Sequence, residues 1–258
     1  MKKDIILLIT LYVLCLPSAR AGGTRVILFD KAHGELFSPS GSHPLDYSIF
    51  ASLFKSAGYM VRTQNEAITA KSLDGVSVLV MSGAFKELTR FEIGVIVNYI
   101  RTGGNVLLLL HVSAPVARLT EQFGIIVSNA TVYETEQGSQ FDGKPYNFLI
   151  SRFHPHPIFS GVKAMAVFGS WALLCEGNVA HILATTSSKA FADVTQNNRF
   201  DPQDPIQAFG VVASAEKHAG KLLVIADDAA FSNAFIEEAD NIRVGRNIVE
   251  WLTVASKR

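Results

Sequence analysis

The sequence predicts a doubly wound α/β domain on a mostly parallel sheet, with an irregular β-rich insertion. Three observations carry this. Runs of strand length such as 76–82 (VSVLVMS) and 106–111 (VLLLLH) are apolar on both faces, as in parallel sheets covered by helices. Amphipathic stretches of helical period alternate with them. Glycine-containing turns, at Gly58 and at Gly103-Gly104, close those stretches.

The elements follow in order. Residues 24–30 (TRVILFD) form a β-branched and aromatic first strand. Over 47–58, Tyr47, Phe50, Leu53, Phe54 and Ala57 fall on one helical face, and Gly58 stops the helix. Residues 59–64 and 76–82 are the second and third strands. Thr89 caps a helix over 90–101 whose Phe91, Ile93, Val97 and Ile100 point inward. The fourth strand spans 106–111, and a short helix over 116–123 leads to 124–127. Residues 128–150 read as a hairpin or irregular insertion. The His154-Pro155-His156-Pro157 run is a stiff extended connector. Short strands are expected at 167–171, 172–175 and 182–185, and a surface loop at 190–204. Strands at 207–213 and 221–226 join through a turn at 218–220. A final helix over 242–254 is capped by Asp240 and Asn241.

The N-terminus reads as a secretory signal. Lys2 and Lys3 precede an apolar run over 5–16, and Ala19-Arg20-Ala21 places small residues where a signal peptidase reads them. Cleavage between Ala21 and Gly22 gives a signal over 1–21 and one domain over 22–258. The location then expected is periplasmic or secreted. The run is about 12 residues, short of the ~20 that span a bilayer, so an uncleaved anchor is the lesser reading. Leu14 argues against lipidation of Cys15, since the residue before a lipidated cysteine is normally small. No transmembrane segment is expected after cleavage. Cleavage removes Cys15 and leaves Cys175, which cannot form an internal disulfide and reads as buried and inert. Formal net charge is zero with no basic stripe, so nucleic acid is not an expected partner.

Five stretches carry a resemblance: 27–35 (ILFDKAHGE), 78–85 (VLVMSGAF), 92–110 (EIGVIVNYIRTGGNVLLLL), 156–162 (HPIFSGV) and 222–247 (LLVIADDAAFSNAFIEEADNIRVGRN). The chain resembles the class I glutamine amidotransferase-like domains of unknown function in exported bacterial proteins. It is similar also to domains in gliding-motility transporter-associated proteins and in a subunit of the intraflagellar transport complex. The resemblance implies a flavodoxin-like or amidotransferase-like fold. Catalytic members of the family carry a cysteine between glycines on the turn after a central strand. Here that turn reads His111-Val112-Ser113-Ala114-Pro115, so glutaminase activity is not expected. The resemblance implies no cofactor, and it implies a non-catalytic binding role toward a small ligand or an envelope protein, with a subunit of a cell-envelope or transporter-associated complex as an alternative.

In open α/β sheets, ligands sit beyond the carboxyl ends of the strands. Residues 30–35, 82–85, 111–114 and 227–233 are expected to converge there. Asp30, His33 and Glu35 have two readings: Asp30 caps loop amides while His33 orders the turn with Gly34, or the three contact a ligand. Metal or acid–base chemistry by Asp30, His33, Glu35 and Asp227 is the hydrolase alternative; a resident metal is not the favoured expectation. Candidate ligand-binding residues are His33, Glu35, Ser82, Gly83, His111, Ser113, Asp228, Ser232 and Asn233. Ser113 lacks the small-residue elbow a nucleophile needs. Asp227 and Asp228 are adjacent and so face opposite ways, with Ser232 and Asn233 expected to bond backbone groups. His154 and His156 share one side of their run, without a third ligand nearby in sequence.

Overall fold

The computed structural model describes residues 25–111, 115–217 and 219–254. The first half contains β1 (Val26–Asp30), α1 (Ser48–Ser56), β2 (Met60–Gln64), β3 (Val76–Ser82), α2 (Arg90–Arg101), β4 (Asn105–Leu109) and α3 (Ala117–Glu121). A strand-rich middle follows: β5 (Ile125–Tyr133), β6 (Gln140–Phe141), β7 (Lys144–Ile150), β8 (Arg152–Phe153), β9 (Met165–Phe168), β10 (Ser170–Cys175), β11 (Ala180–Thr185) and β12 (Phe191–Asp193). The chain closes through β13 (Gly210–Lys217), β14 (Gly220–Ile225) and α4 (Asn241–Thr253).

The main sheet runs β12-β5-β10-β13-β14-β4-β3-β1-β2. Its block β14-β4-β3-β1-β2 is parallel throughout. From β13 outward the pairings are antiparallel. Strand β4 explains the layering. Leu107 and Leu109 join the core beneath α1 and α4, while Val106 and Leu108 join the core beneath α2 and α3. A strand buried on both faces must be apolar at every position, which is what 106–110 shows. Each fully buried Leu or Val contributes about 1.5–3 kcal/mol.

Local sequence explains most of the helix boundaries. Thr89 caps α2 by accepting from the Glu92 amide, and Glu92 returns a bond to the Thr89 amide. Helix α1 has no cap of its own at Tyr47. Asn233, far along the chain, supplies it by accepting from the Ile49 amide at 3.0 Å. At the other end of the domain, the buried Lys221 ammonium donates to the Trp251 and Val254 carbonyls and caps the C-terminus of α4.

Several expectations need correction. The stretch 128–150 divides: β5 extends to Tyr133 inside the main sheet, and 140–150 forms the β6–β7 hairpin, which pairs with β9 in a separate three-stranded sheet. The break between β9 and β10 falls at Gly169, not after Trp171. The expected surface loop 190–204 contains β12. It is also anchored by the buried carboxylates of Asp193, which accepts from the amides of Asn197 and Asn198, and of Asp204, which accepts from those of Val194 and Asp201. Asp240 and Asn241 do not cap α4 with their side chains. Asp240 accepts from the Lys163 and Ala164 amides, and Asn241 bonds both backbone groups of Ala166 and the carbonyls of Ala230 and Phe235. Both clamp the approach to β9 instead. Cys175 is half-buried at the end of β10, and burial pushes its thiol up to about 11.

Gly220 opens β14 against the end of α2. A Cβ there would stand 2.1 Å from the Ile100 carbonyl oxygen and 2.3 Å from that of Gly104. Backbone oxygens cannot move aside cheaply, so Gly220→Ala is expected to cost about 1–3 kcal/mol in urea unfolding. An unchanged midpoint would contradict this packing.

Candidate functional site

Two buried polar clusters lie beyond the carboxyl ends of the parallel strands. The first is built by β1 and α2. Asp30 ends β1 and turns Oδ2 to His33 Nδ1 at 2.5 Å, while its Oδ1 accepts from the Ala32 amide at 3.1 Å. The other imidazole nitrogen, Nε2, stands 3.2 Å from Glu92 Oε1. Glu35 Oε2 accepts from the His33 amide at 2.9 Å. All four side chains are buried. The His33 carbonyl accepts from the amides of Phe85 and Lys86, which attaches this loop to the chain beyond β3.

Burial pushes the His33 imidazole down, but Asp30 with Glu92 and Glu35 outweighs it, and the imidazole is held above its ordinary range. Burial pushes the Glu92 carboxyl up; the Thr89 hydroxyl and amide and the Ile68 amide outweigh that and leave it low. For Glu35 the lowering effects of a backbone hydrogen bond and of His33 are the smaller ones. Burial first, and then the Asp30 carboxylate, push it up to about 7. Its Oε1 is buried without a hydrogen-bond partner.

The second cluster forms where β14 and β4 end. His111 Nδ1 meets the Asp228 carboxylate at 2.9 and 3.0 Å, and Phe85 lies against the imidazole at 5.0 Å. Burial, then the Asp228 charge, holds the Tyr47 hydroxyl above its ordinary range, and the buried Ser82 hydroxyl has no hydrogen-bond partner. Gly83, at φ +67°, makes this pairing possible: a Cβ there would come within 2.6 Å of Asp228 Oδ2. Asp227 turns the other way and accepts from the amides of Phe168 and Ala229 at 2.8 Å each. Burial, then Asp228, pushes its carboxyl up to about 7.

The expected convergence is therefore only partly one site. Asp30, His33 and Glu35 group with Glu92, whereas Ser82, Gly83, His111 and Asp228 form the other cluster. Asp227 is bonded to the backbone of 168 and 229 and is not among the three residues, Asp30, His33 and Glu35, whose ligand atoms lie within 4.8 Å of one another. Asn233 bonds backbone groups as expected, at Ile49, Gly41 and His43. The Ser232 hydroxyl, expected to do likewise, is buried without a partner. Ser113 lies outside the described residues, as do the signal 1–21, Cys15 and His218.

Three participants were missed from sequence. Glu92 was visible as the fourth residue of a Thr-x-x-Glu cap, but its bond to His33 was not. Tyr47 read only as an apolar helix residue. His181 shares a concavity of about 620 Å³ with His154 and His156, although nothing in their spacing joins them. His156 there lies against Trp251, and burial, then Lys221, pushes its imidazole down to about 4.

Another concavity, of about 970 Å³, lies at the amino ends of the strands beside Gly75, Gly103 and Leu252. At the carboxyl ends, the void bounded by Met81, Leu109, His111 and Val116 has no room for a water molecule.

A central parallel block with antiparallel extensions, helices on both faces and buried polar clusters at the carboxyl ends of the strands defines a mixed α/β domain of amidotransferase-like architecture. Residues 26–151 match the family model described as the IFT52 GIFT domain. The human intraflagellar transport protein 52 homolog is 25% identical over 243 residues, 88% of this chain and 53% of that protein. The mouse homolog is likewise 25% identical, with 55% of its length covered. The chain thus spans about half the length of the curated relatives it matches. Among solved structures, the mmIFT52 N-terminal domain superposes with TM-score 0.70 at 21% identity, over 90% of this chain and 99% of that one. A thua-like protein from Bacteroides uniformis superposes with TM-score 0.53 at 13% identity, over 92% and 94% of the two chains.

His111 and Asp227 make stability fall as pH rises, whereas His156, held down to about 4, acts in the opposite sense between about pH 4 and 6.5. His111 is raised, first by the Asp228 hydrogen bond and against burial, so its contribution is full below about 6.5 and is lost as pH passes its folded value. Asp227 holds a proton in the folded chain that the unfolded chain releases above about 4, so stability also declines between about pH 4 and 7. Urea midpoints are expected to be lower at pH 8 than at pH 5. In His111→Asn the difference should shrink, with a loss of roughly 1–2 kcal/mol at pH 5, since the imidazole is partly exposed. A difference between pH 5 and pH 8 that is the same in His111→Asn as in the parent would contradict the assignment.

Proposed function

We propose that this domain is a non-catalytic protein-binding component of a multi-protein assembly, exported and acting outside the cytoplasm. The observation that carries the reading is the likeness to intraflagellar transport protein 52 homologs, which extends over 88% of the chain. The geometry agrees with it. His33 and His111 are already bonded to carboxylates of the same chain, and the nucleophile turn of amidotransferases holds no cysteine. Export rests on the signal over 1–21, with cleavage before Gly22. Among the described residues, no helix is long and apolar enough to cross a membrane.

The surface favoured for a partner is the rim of the first cluster. Leu36 is 68% exposed, Phe91, expected to point inward, is also 68% exposed because α2 turns Ile96 and Ile100 to the core instead, and Phe85 is 42% exposed. All three stand on segments that His33 ties together, through its loop, its carbonyl bond to Phe85 and its contact with Glu92. Exposed apolar side chains on a rigid frame are the usual anchors of protein interfaces.

The test is affinity isolation of the tagged full chain from its native envelope, beside Phe91→Glu. The parent should retain a stoichiometric partner. The variant should keep its melting temperature within about 2 °C and lose at least tenfold of that partner. Equal recovery with both proteins, or no stoichiometric partner, counts against the reading. Accumulation of an N-terminus at Met1 would count against cleavage.

A further inference from the structure

The first cluster holds more acceptors than the chain supplies donors for. Asp30, Glu35 and Glu92 place three carboxylates around one imidazole, and among the described residues no Lys or Arg comes within ion-pair distance of any of them. Asp30 and Glu92 are answered by His33 and by backbone or Thr89 donors. Glu35 is only 6% exposed, yet its Oε1 has no hydrogen-bond partner. An unanswered carboxylate oxygen this deep costs free energy unless a positive species joins it.

One ligand atom each from Asp30, His33 and Glu35 lies within 4.8 Å of the others. This is a compact mixed nitrogen and oxygen set. The fourth residue completes the logic. If the Nε2 hydrogen is donated to Glu92 Oε1, the imidazole is fixed in the tautomer that leaves Nδ1 a lone pair. Nδ1 stands 2.5 Å from Asp30 Oδ2, a hydrogen-bond length that holds one proton; a cation would replace that proton and move the two ligand atoms apart. A carboxylate behind the distal nitrogen of a ligating histidine is the recurrent support of metal sites. Glu92 is itself held by Thr89 and by the Ile68 amide, so it is oriented for that task.

We propose that Asp30, His33 through Nδ1, and Glu35 bind one divalent cation of the zinc class, with Glu92 as the positioning residue for the imidazole. Imidazole with carboxylates suits zinc over the larger oxygen-seeking cations. The three ligands leave a fourth position open. All three are buried, so the ion joins β1 to the loop beyond it and stabilises the fold. The competing state is a proton shared within the cluster and no metal. This inference does not depend on the domain having a protein partner.

The experiment uses the purified full chain after chelator treatment, with zinc chloride alone as the added probe and calcium and magnesium chlorides as comparisons. Titration calorimetry should give one zinc per chain, and zinc should raise the melting temperature by several degrees. Glu35→Gln, similar in size, should weaken zinc binding at least tenfold while the circular dichroism spectrum stays that of the parent. Anomalous scattering at the zinc edge from crystals of the parent should place the ion between Asp30, His33 and Glu35, whether or not the variant folds. The proposal is overturned if the parent takes up no zinc at micromolar concentrations. It is equally overturned if binding is unchanged in Glu35→Gln, or if the anomalous peak lies elsewhere, for example by His154, His156 and His181.

Discussion

An imidazole enclosed between two buried carboxylates sets the geometry of one end of this molecule. His33 stands on the loop after β1, Asp30 ends that strand, and Glu92 belongs to the first turn of α2. The contact therefore joins the first strand to a helix capped by the same carboxylate. Through its carbonyl, His33 also fixes the chain leaving β3. The loop over 30–35, the start of α2 and the approach to Phe85 cannot move independently of it. Breaking a buried pair of this kind typically costs 3–5 kcal/mol, because the remaining charge is left unanswered.

The second cluster repeats the arrangement with different parts. Asp228 faces His111, and Gly83 gives up its side chain so that the carboxylate fits. The same end of the chain supplies Asn233, Asp240 and Asn241, each of which bonds backbone from a distant segment. The polar residues at this end thus serve first to hold loops in place. An α/β domain can keep its crevice and yet commit that crevice's groups to its own loops, leaving recognition to the surrounding rim.

Much of the fold was legible because its signals are local. The continuous apolar run 106–110 requires burial on both faces, and the structure places it between helices. The Thr89 cap with Gly103-Gly104 after it bounded α2 at the residues observed. What failed was non-local. Asp240 and Asn241 have the composition of a helix cap, but the amides of 163–166 compete for them and win. The polar character of 128–133 concealed a strand, because β5 lies in the outer, antiparallel part of the sheet, where a half-buried position tolerates Ser128 and an exposed one Asn129. At the site, Asp30 and His33 were visible as neighbours. Glu92 was not, since 59 residues separate it from His33 and only the fold brings them together.

The central claim is that His33 and Glu92 act as one unit. A double-mutant cycle with His33→Gln, Glu92→Gln and the pair, read by urea unfolding of the full chain at pH 6, tests it most directly. The account expects a coupling of about 1–3 kcal/mol, as for residues in one buried polar network. Additive losses within about 0.5 kcal/mol would mean that the two side chains do not interact, and would contradict it.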